Sequence, residues 1–261
     1  MKPVAILGSG PAGLMAVHAV TMTDKPYALF SKPVKSRIGG AQFLHRYIPG
    51  LTPEAPEAMI TYEMLGTEAE YRSKVYGRFP VPFTSWQHIQ DGMTQEAWSL
   101  PALYDAMWDL WSPTINDVEV TPQWLDDHVD QFECVISAIP RHAICRSAHG
   151  LVPQPHSFTS QPIKIKPTNM LPLRNNTILY NGSQSYSWYR CSNLFGTGST
   201  EWGADMMPPL QDLVTVRKPI HTTCNCYEDV VRVGRYGRWE KGVLSHDGFF
   251  STLVNLRERG L

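Results

Sequence analysis

The feature that most constrains the fold of this chain is a glycine-rich turn near its first residue. Residues 4–8 form an apolar run that ends in glycine, and residues 14–20 carry apolar side chains at helical spacing. The turn between them reads Gly8-Ser-Gly10-Pro-Ala-Gly13, a G-x-G-x-x-G pattern between a strand and a helix. Gly8 permits a tight turn, Gly10 lets the backbone approach a pyrophosphate, and Gly13 lets the helix pack on the strand. The sequence therefore predicts a dinucleotide-binding unit whose phosphate-binding residues are Gly8, Gly10, Pro11, Ala12 and Gly13.

The residue after the second predicted strand, Tyr27–Phe30, bears on which dinucleotide is bound. Dinucleotide folds usually place an acidic residue there, where it accepts hydrogen bonds from the adenosine ribose. This chain has Ser31, whose hydroxyl makes weaker contacts with the ribose than a carboxylate does. Lys32, Lys35 and Arg37 follow, and these cations suit the 2′-phosphate of NADP. NADP therefore stays open as an alternative ligand.

Three later segments carry a resemblance to a known family. The first is Arg37-Ile-Gly-Gly40, which follows the second strand after a short basic turn. The second is the apolar run Glu133–Pro140, which ends in small residues and a proline. The third spans residues 230–249, where a strand leads through Gly-Arg and a glycine-containing loop into a final helix. Together with the first glycine turn, these segments resemble the FAD proteins that include amine oxidases and UDP-galactopyranose mutase.

This resemblance implies FAD as the cofactor and a role for each segment. The Gly39-Gly40 pair would let the chain pass close to the cofactor, and the run through Ala138 would return the chain to the FAD domain. Gly234 and Arg235 would lie by the pyrophosphate, residues 242–244 would lie along the flavin ring and ribityl chain, and Ser245 would cap the final helix. Beyond the first turn, the implied cofactor residues are Ser31, Lys32, Arg37, Gly39, Gly40, Ala138, Gly234, Arg235, Gly242, Val243 and Leu244.

The cofactor segments are separated by two insertions, so we expect an α/β protein with a parallel-sheet Rossmann-type domain and an inserted substrate domain. The first insertion contains two predicted helices, and the second contains four short predicted strands. We expect these to form a mixed sheet with a helical cover. The FAD-binding domain is predicted over residues 1–45, 115–150 and 225–261, and the insertions over residues 46–114 and 151–224. The predicted helices are Pro56–Tyr76 and Leu100–Trp111. The predicted strands are residues 163–166, 177–180, 184–190 and 213–217.

Four residues are candidates for catalysis because their segments should converge on the flavin. A flavin carries the electrons itself, so the protein must orient the substrate, exclude water and tune the flavin. Aromatic side chains and cations suit those tasks. Each candidate also has a structural interpretation, as a hydrogen-bonded histidine, a packed aromatic residue or an ion-pair partner. The candidates are His45, Tyr186, Arg190 and Arg238.

The resemblance implies an amine-oxidase-like, FAD-dependent oxidoreductase that oxidises a C–N or C–H bond of a small-molecule or nucleotide-type substrate. Two alternatives stay open. One is a redox-neutral flavoenzyme, either a mutase or a lyase, and the other is a non-catalytic dinucleotide-binding module. Only one glycine-rich dinucleotide motif is found, so a separate NAD(P)H-binding domain is not expected.

Composition excludes several other classes of protein. The formal net charge of −1 gives no general attraction to nucleic acid or to anionic membranes. No apolar run approaches the roughly 20 residues of a membrane-spanning helix, and no secretory pattern is found, so we expect a cytoplasmic protein.

The five cysteines predict neither a disulfide framework nor a metal site. Cys224 and Cys226 lie close to His221, but a single C-x-C has no second cysteine pair elsewhere. Alternate residues of a strand also point to opposite faces. We therefore expect buried, inert thiols and no bound metal.

Overall fold

A computed structural model describes residues 2–77, 91–152, 154–168, 170–203 and 212–261. The chain forms two compact units. Unit 1 comprises Met1–Arg37, Tyr104–Thr159 and Pro219–Leu261, and unit 2 comprises Ile38–Leu103 and Ser160–Lys218. These boundaries lie up to about a dozen residues from the domain boundaries that the sequence suggests.

Unit 1 is built on a parallel sheet of five strands. They are β1 (Val4–Leu7), β2 (Tyr27–Ser31), β5 (Ile115–Asp117), β6 (Cys134–Ser137) and β12 (Val231–Arg232). Their order across the sheet is β12-β6-β1-β2-β5, and every neighbouring pair is parallel. All four residues of the central strand β1 are fully buried, as the continuous apolar run predicts.

The helices of unit 1 pack around this sheet. They are α1 (Pro11–Thr21), α4 (Pro122–His128), α5 (Gly234–Arg238), α6 (Asp247–Glu258) and the part of α3 (Leu100–Trp111) that begins at Tyr104. One core cluster of unit 1 includes Ala5, Leu7, Leu125 and Val135. No helix in the part of the chain that the structure describes is long and apolar enough to cross a membrane.

In its described residues, unit 2 is built on a mixed sheet of seven strands. They are β3 (Glu57–Leu65), β4 (Thr94–Trp98), β7 (Phe158–Lys166), β8 (Thr177–Asn181), β9 (Trp188–Leu194), β10 (Thr197–Gly203) and β11 (Val214–Thr222). The order is β11-β7-β10-β9-β8-β3-β4, in which β3 and β8 are parallel while β3–β4, β8–β9, β9–β10 and β7–β10 are antiparallel. The predicted fold class, a Rossmann-type parallel sheet with an inserted mixed sheet, is confirmed.

The helix predicted over Pro56–Tyr76 is wrong in its first half. Residues 57–65 form strand β3, in which the buried side chains Ile60 and Tyr62 alternate with more exposed neighbours. The strand ends at Gly66, whose φ of +83° favours glycine. A capping box between Thr67 and Glu70 then begins helix α2 (Glu68–Tyr76). The alternation of apolar and polar residues and the glycine before a Thr-x-x-Glu pattern are the signals that distinguish the two elements.

Three smaller predictions are also wrong. Tyr186 lies in the turn before β9, because that strand begins only at Trp188. Ser245 does not cap the last helix, since α6 begins at Asp247 and His246 occupies the N-cap position. The segment between the final strand and α6 is also not a continuous loop, because the first five residues after Val233 form helix α5.

Candidate functional site

The glycine turn of unit 1 combines two positions that folding restricts to glycine with one that it does not. Gly8 has a φ of +95°. A Cβ on Gly13 would lie 1.9 Å from the Gly8 carbonyl oxygen, so only glycine lets α1 pack on the turn. Gly10 differs, because its φ of −69° suits any residue and a Cβ there would meet only Ser36 Oγ, at 3.6 Å. The structure thus leaves open space beside the Gly10 backbone.

The start of α1 next to this space has the polarity that an anion requires. Gly10 is the N-cap residue and Pro11 opens the helix. The backbone N–H groups of Ala12 and Gly13 lie in the first turn, so they have no acceptor within the helix. Among the described residues, no side chain caps this end, and the first turn carries no acidic residue. The partial positive charge of the helix end is therefore available to a phosphate.

Ser31 ends β2 beside the same turn. Its Oγ lies 2.9 Å from Ser9 Oγ and accepts a hydrogen bond from the Ser9 backbone N–H at 3.3 Å. On the neighbouring strand, Asp117 is in register with Ser31 and forms an exposed ion pair of 3.5 Å with Lys32. Lys35 likewise pairs with Asp105 at 2.7 Å, whereas Arg37 is exposed. Two of the three cations that suit a 2′-phosphate thus already have carboxylate partners.

Tyr104 is a residue of this site that sequence reasoning missed. Its hydroxyl donates to the Ser9 carbonyl oxygen at 3.0 Å and accepts from the Ser36 N–H at 3.0 Å. The ring is buried on the inner face of α3, together with Leu103 and Met107. The signal was a polar-tipped aromatic residue within the apolar stripe of a predicted helix, because a buried tyrosine hydroxyl usually finds a partner.

The segment after β12 packs directly on the first turn of α1. A Cβ on Gly234 would lie 2.4 Å from Ala12 Cβ, and a Cβ on Gly248 would lie 2.1 Å from the Ala12 carbonyl oxygen. Asp247, which opens α6, accepts hydrogen bonds from the Gly234 N–H at 2.9 Å and from Arg238 Nη1 at 3.3 Å. The structure therefore brings the first and the last of the predicted cofactor segments together, and Asp247 is a second residue that sequence reasoning missed.

The other residues assigned to this segment have mixed positions. Ala138 follows β6 and its Cβ lies 3.4 Å from the Cβ position of Gly13, so it lines the glycine turn. Gly242 has a φ of +86°, and residues 243 and 244 lead from it into α6. Arg235 donates from Nε and Nη2 to the Pro219 carbonyl oxygen at 3.0 and 2.8 Å. That carbonyl oxygen is a partner the resemblance did not imply.

In unit 2, the Gly39-Gly40 pair lies beside a carboxylate. Gly40 has a φ of +81°, and a Cβ there would lie 2.7 Å from Glu201 Oε1. The next residue, Ala41, donates its N–H to the same oxygen at 3.1 Å. The nearest atom to a Cβ on Gly39 is Ile165 Cδ1, at 3.7 Å. Close approach of the backbone to Glu201 thus explains the second glycine within unit 2.

Glu201 is the centre of a buried charge network that includes Arg190. The Glu201 side chain is fully buried. Arg190 donates from Nε at 2.9 Å and also from Nη2 to Oε1, while Lys218 Nζ lies 3.1 Å from Oε2. Burial by itself would raise the pKa of Glu201, but Arg190, Lys218 and the Ala41 N–H outweigh it and hold the pKa at about 2. Arg190 is therefore a partner in a buried ion pair.

The remaining candidates for catalysis differ in exposure and partners. Tyr186 is half exposed and borders a cavity of about 520 Å³ in unit 2, with its ring 5.9 Å from that of Trp188. His45 is partly buried, and its ring lies 4.1 Å from that of Phe43. Arg238 belongs to unit 1 and pairs with Glu240 at 3.2 Å as well as with Asp247.

The reasons for expecting inert thiols do not hold in the structure. Cys224 and Cys226 follow β11 in irregular chain, so strand alternation does not separate their side chains. Although the chain has no second cysteine pair, Cys145 and His156 place their potential ligand atoms within 4.8 Å of those of Cys224 and Cys226. His221 lies on β11 and is exposed. All five cysteines are free thiols.

No model of a known protein family matches the sequence, and no curated protein sequence matches it. Solved structures with a similar fold do exist. A reduced UDP-galactopyranose mutase is 13% identical, with a TM-score of 0.57 over 97% of this chain and 94% of its own. A flavin-dependent halogenase from Brevundimonas sp. BAL3 is 9% identical, with a TM-score of 0.56 over 99% and 72%. A geranylgeranyl bacteriochlorophyll reductase-like protein from Thermoplasma acidophilum is 10% identical, with a TM-score of 0.53 over 99% and 77%. The chain therefore shares the fold of these proteins.

Proposed function

We propose that unit 1 binds FAD and that the protein is a flavin-dependent oxidoreductase. The observation that carries this proposal is Gly10. Neither its backbone dihedral nor its surroundings require glycine, yet a side chain there would project into the space at the start of α1. A ligand that approaches the backbone explains the glycine, and the similar folds of the mutase, the halogenase and the reductase-like protein favour a flavin dinucleotide.

The residues present fit FAD at several points. The N–H groups of Ala12 and Gly13, at the positive end of α1, would hold the pyrophosphate. Ser31 lies at the end of β2, where a ribose hydroxyl would be bound. The segment through Gly234 lies against Ala12 and would contribute the second side of the cofactor site. Because Arg235 is held on the Pro219 carbonyl oxygen, the backbone N–H groups would carry most of the phosphate recognition.

The proposed chemistry is the oxidation of a C–N or C–H bond in a small-molecule or nucleotide-type substrate. FAD, when bound, supplies the two-electron acceptor for this reaction. We assign substrate contact to Tyr186, which is half exposed on a cavity rim, and to His45. Arg190 is assigned a positioning role, because its guanidinium is already held by Glu201. Arg238 is assigned to the cofactor side, since its partner Asp247 also binds the Gly234 N–H.

The test is to compare Gly10→Ala and Gly10→Val with the wild-type protein. Both variants should keep the wild-type free energy of unfolding to within about 1 kcal/mol in the absence of FAD, because the added atoms meet little protein. Both should lose FAD, and the valine variant should lose more, as measured by flavin absorbance and by the dinucleotide released on denaturation. Thr21→Val, at the far end of α1, is the matched control and should keep FAD. If Gly10→Val binds FAD as tightly as the wild type, the phosphate site lies elsewhere.

A redox-neutral reaction is the second candidate function. It is favoured by the likeness to a UDP-galactopyranose mutase, which extends over 94% of that chain. The two candidates differ in electron balance. In an oxidoreductase, added substrate reduces the bound FAD in stoichiometric amounts when no acceptor is present. In a mutase or lyase, the flavin is back in its starting redox state after each turnover. A protein that binds FAD but turns over no substrate would instead be a dinucleotide-binding module.

A further inference from the structure

Three separate stretches of unit 1 bring three thiols and one imidazole into a single cluster. The residues are Cys145, His156, Cys224 and Cys226. Cys145 Sγ lies 3.2 Å from His156 Nδ1, and Cys226 Sγ lies 3.7 Å from the same nitrogen. All four potential ligand atoms lie within 4.8 Å of one another. Cys145 and Cys224 are buried, whereas His156 and Cys226 are partly buried.

Two distances within the cluster are close to the edge length of a tetrahedral metal site. Zinc binds cysteine sulfur at ~2.3 Å and histidine nitrogen at ~2.0–2.1 Å, so the edges of a Cys₃His tetrahedron are about 3.5–3.8 Å long. The distances from Cys145 Sγ and Cys226 Sγ to His156 Nδ1, 3.2 and 3.7 Å, lie close to that range. Four soft or borderline ligands with no carboxylate also exclude magnesium and calcium as preferred ions.

The surroundings of the cluster hold its ligands in place. Arg141 Nη2 donates to the Cys224 carbonyl oxygen, and Arg232 Nη2 donates to the Cys226 carbonyl oxygen at 2.7 Å. The His156 N–H donates to Ser147 Oγ at 2.9 Å. Metal sites are typically supported by such an outer layer of hydrogen bonds, which orients the ligands before the ion binds.

The same two arginines point to a negative charge at the cluster. Both guanidinium groups donate to backbone carbonyl oxygens of cluster residues, so two positive charges lie beside the cluster. Within the described residues, Arg232 Nη1 and Arg141 Nε are buried and have no hydrogen-bond partner. Three thiolates and one Zn²⁺ carry a net charge of −1, which would offset part of this positive charge.

We infer that Cys145, His156, Cys224 and Cys226 form a structural zinc site in unit 1. All four ligands come from the protein, so no coordination position is left open for substrate or water, and the ion serves the fold. Binding proceeds by loss of the three thiol protons to solvent and formation of three zinc–sulfur bonds and one zinc–nitrogen bond, with no change in oxidation state.

The position of the site in the chain shows what the ion would hold. His156 lies three residues before Thr159, where the chain leaves unit 1, and Cys224 lies five residues after Pro219, where it returns. The outgoing and returning stretches are already joined by hydrogen bonds from the Ser157 N–H to Thr223 Oγ1 at 2.9 Å and from Thr222 Oγ1 to the Ser157 carbonyl oxygen at 2.7 Å. The zinc ion would link both of these stretches to the segment that follows β6.

The experiment is a metal analysis of the full-length chain, purified under reducing conditions without a polyhistidine tag. We expect about one zinc ion per wild-type chain. Cys145→Ser and Cys226→Ser should each bind zinc more weakly by at least the roughly tenfold that loss of an outer hydrogen bond costs. Cys191→Ser is the matched control, because Cys191 is a buried thiol in unit 2 outside the cluster, and it should keep the wild-type zinc content. Equal zinc content in all variants would overturn the assignment.

A second measurement covers the case in which a cluster variant does not fold. Cobalt(II) is added to the wild-type chain after its zinc has been removed with a chelator. We expect the thiolate-to-cobalt charge-transfer band and the intense visible bands of a tetrahedral site, both abolished by added zinc. Octahedral cobalt bands, a zinc content far below one per chain after incubation with zinc, or a disulfide among the cluster cysteines in the reduced preparation would each refute the site. None of these results depends on whether FAD is bound.

Discussion

Replacing the buried carboxylate of Glu201 by an amide should destabilise the protein strongly, and the structure gives the size of the effect. Glu201→Gln removes the negative charge that Arg190 and Lys218 share, while both cationic side chains stay mostly buried. Breaking a buried ion pair by removing one partner typically costs about 3–5 kcal/mol. We therefore expect a loss of about 3–5 kcal/mol in the free energy of unfolding at pH 7.

The lowered pKa of Glu201 predicts how the stability that this network provides depends on pH. The pKa of Glu201 falls from an ordinary value of 4.5 to about 2 in the folded chain. A difference of that size corresponds to about 3 kcal/mol. Because the folded-state pKa is the lower one, this stabilisation is fully present above about pH 4.5 and is lost as the pH falls towards 2. Glu201→Gln should therefore show a shallower loss of stability between these pH values.

The assay is urea unfolding followed by tryptophan fluorescence between pH 2 and pH 7. Glu96→Gln is the matched control, since Glu96 is exposed on β4 of the same sheet, and it should stay within about 0.5 kcal/mol of the wild type. The reasoning is refuted if the free energy of unfolding of Glu201→Gln also stays within 1 kcal/mol of the wild type at pH 7. It is also refuted if this free energy falls as steeply between pH 4.5 and pH 2 as that of the wild type.

Three further substitutions test separate features. Tyr104→Phe should lower the free energy of unfolding, measured in urea, by about 1–3 kcal/mol and weaken FAD binding, because it leaves the buried Ser9 carbonyl oxygen without its donor. Unchanged FAD affinity would show that Tyr104 does not contribute to the cofactor site. Thr67→Ala should cost about 1 kcal/mol by removing the capping box with Glu70, and an unchanged urea midpoint would show that α2 does not depend on its cap. Ser31→Glu should preserve or strengthen FAD binding measured by titration. A marked loss of binding in this variant, together with wild-type protein that binds NADPH more tightly than FAD, would identify NADP as the ligand.

The parts of the fold that the sequence predicted are those whose signals are local. The turn through Gly8, Gly10 and Gly13 lies between its strand and its helix within a few residues, so spacing alone was sufficient to predict this part of the fold. The helix predicted from Pro56 failed because a long span was assigned on the spacing of its second half. Its first half alternates with period two, and Gly66 separates the halves.

The parts that the sequence did not predict depend on residues that are far apart along the chain. Arg190 was a candidate for catalysis because nothing near it in the sequence indicates its partner Glu201, against which the segment of Gly40 also packs. Cys145 and Cys226 are separated by an insertion of nearly sixty residues that forms part of unit 2. No spacing rule for ligands covers such an interruption, so C-x-C on its own appeared to lack partners.

The order of the strands sets a condition on how the protein folds as it is synthesised. Strand β6 pairs with β12, which leaves the ribosome only after the whole of β7 to β11 has been made. In the other sheet, β3 pairs with β8, which is synthesised more than a hundred residues later. Such long-range parallel pairings form slowly and leave strand edges exposed while they wait. An emerging chain thus holds β5, β2, β1 and β6 together while the edge of β6 that later pairs with β12 stays uncovered, which makes this intermediate a point from which aggregation can begin.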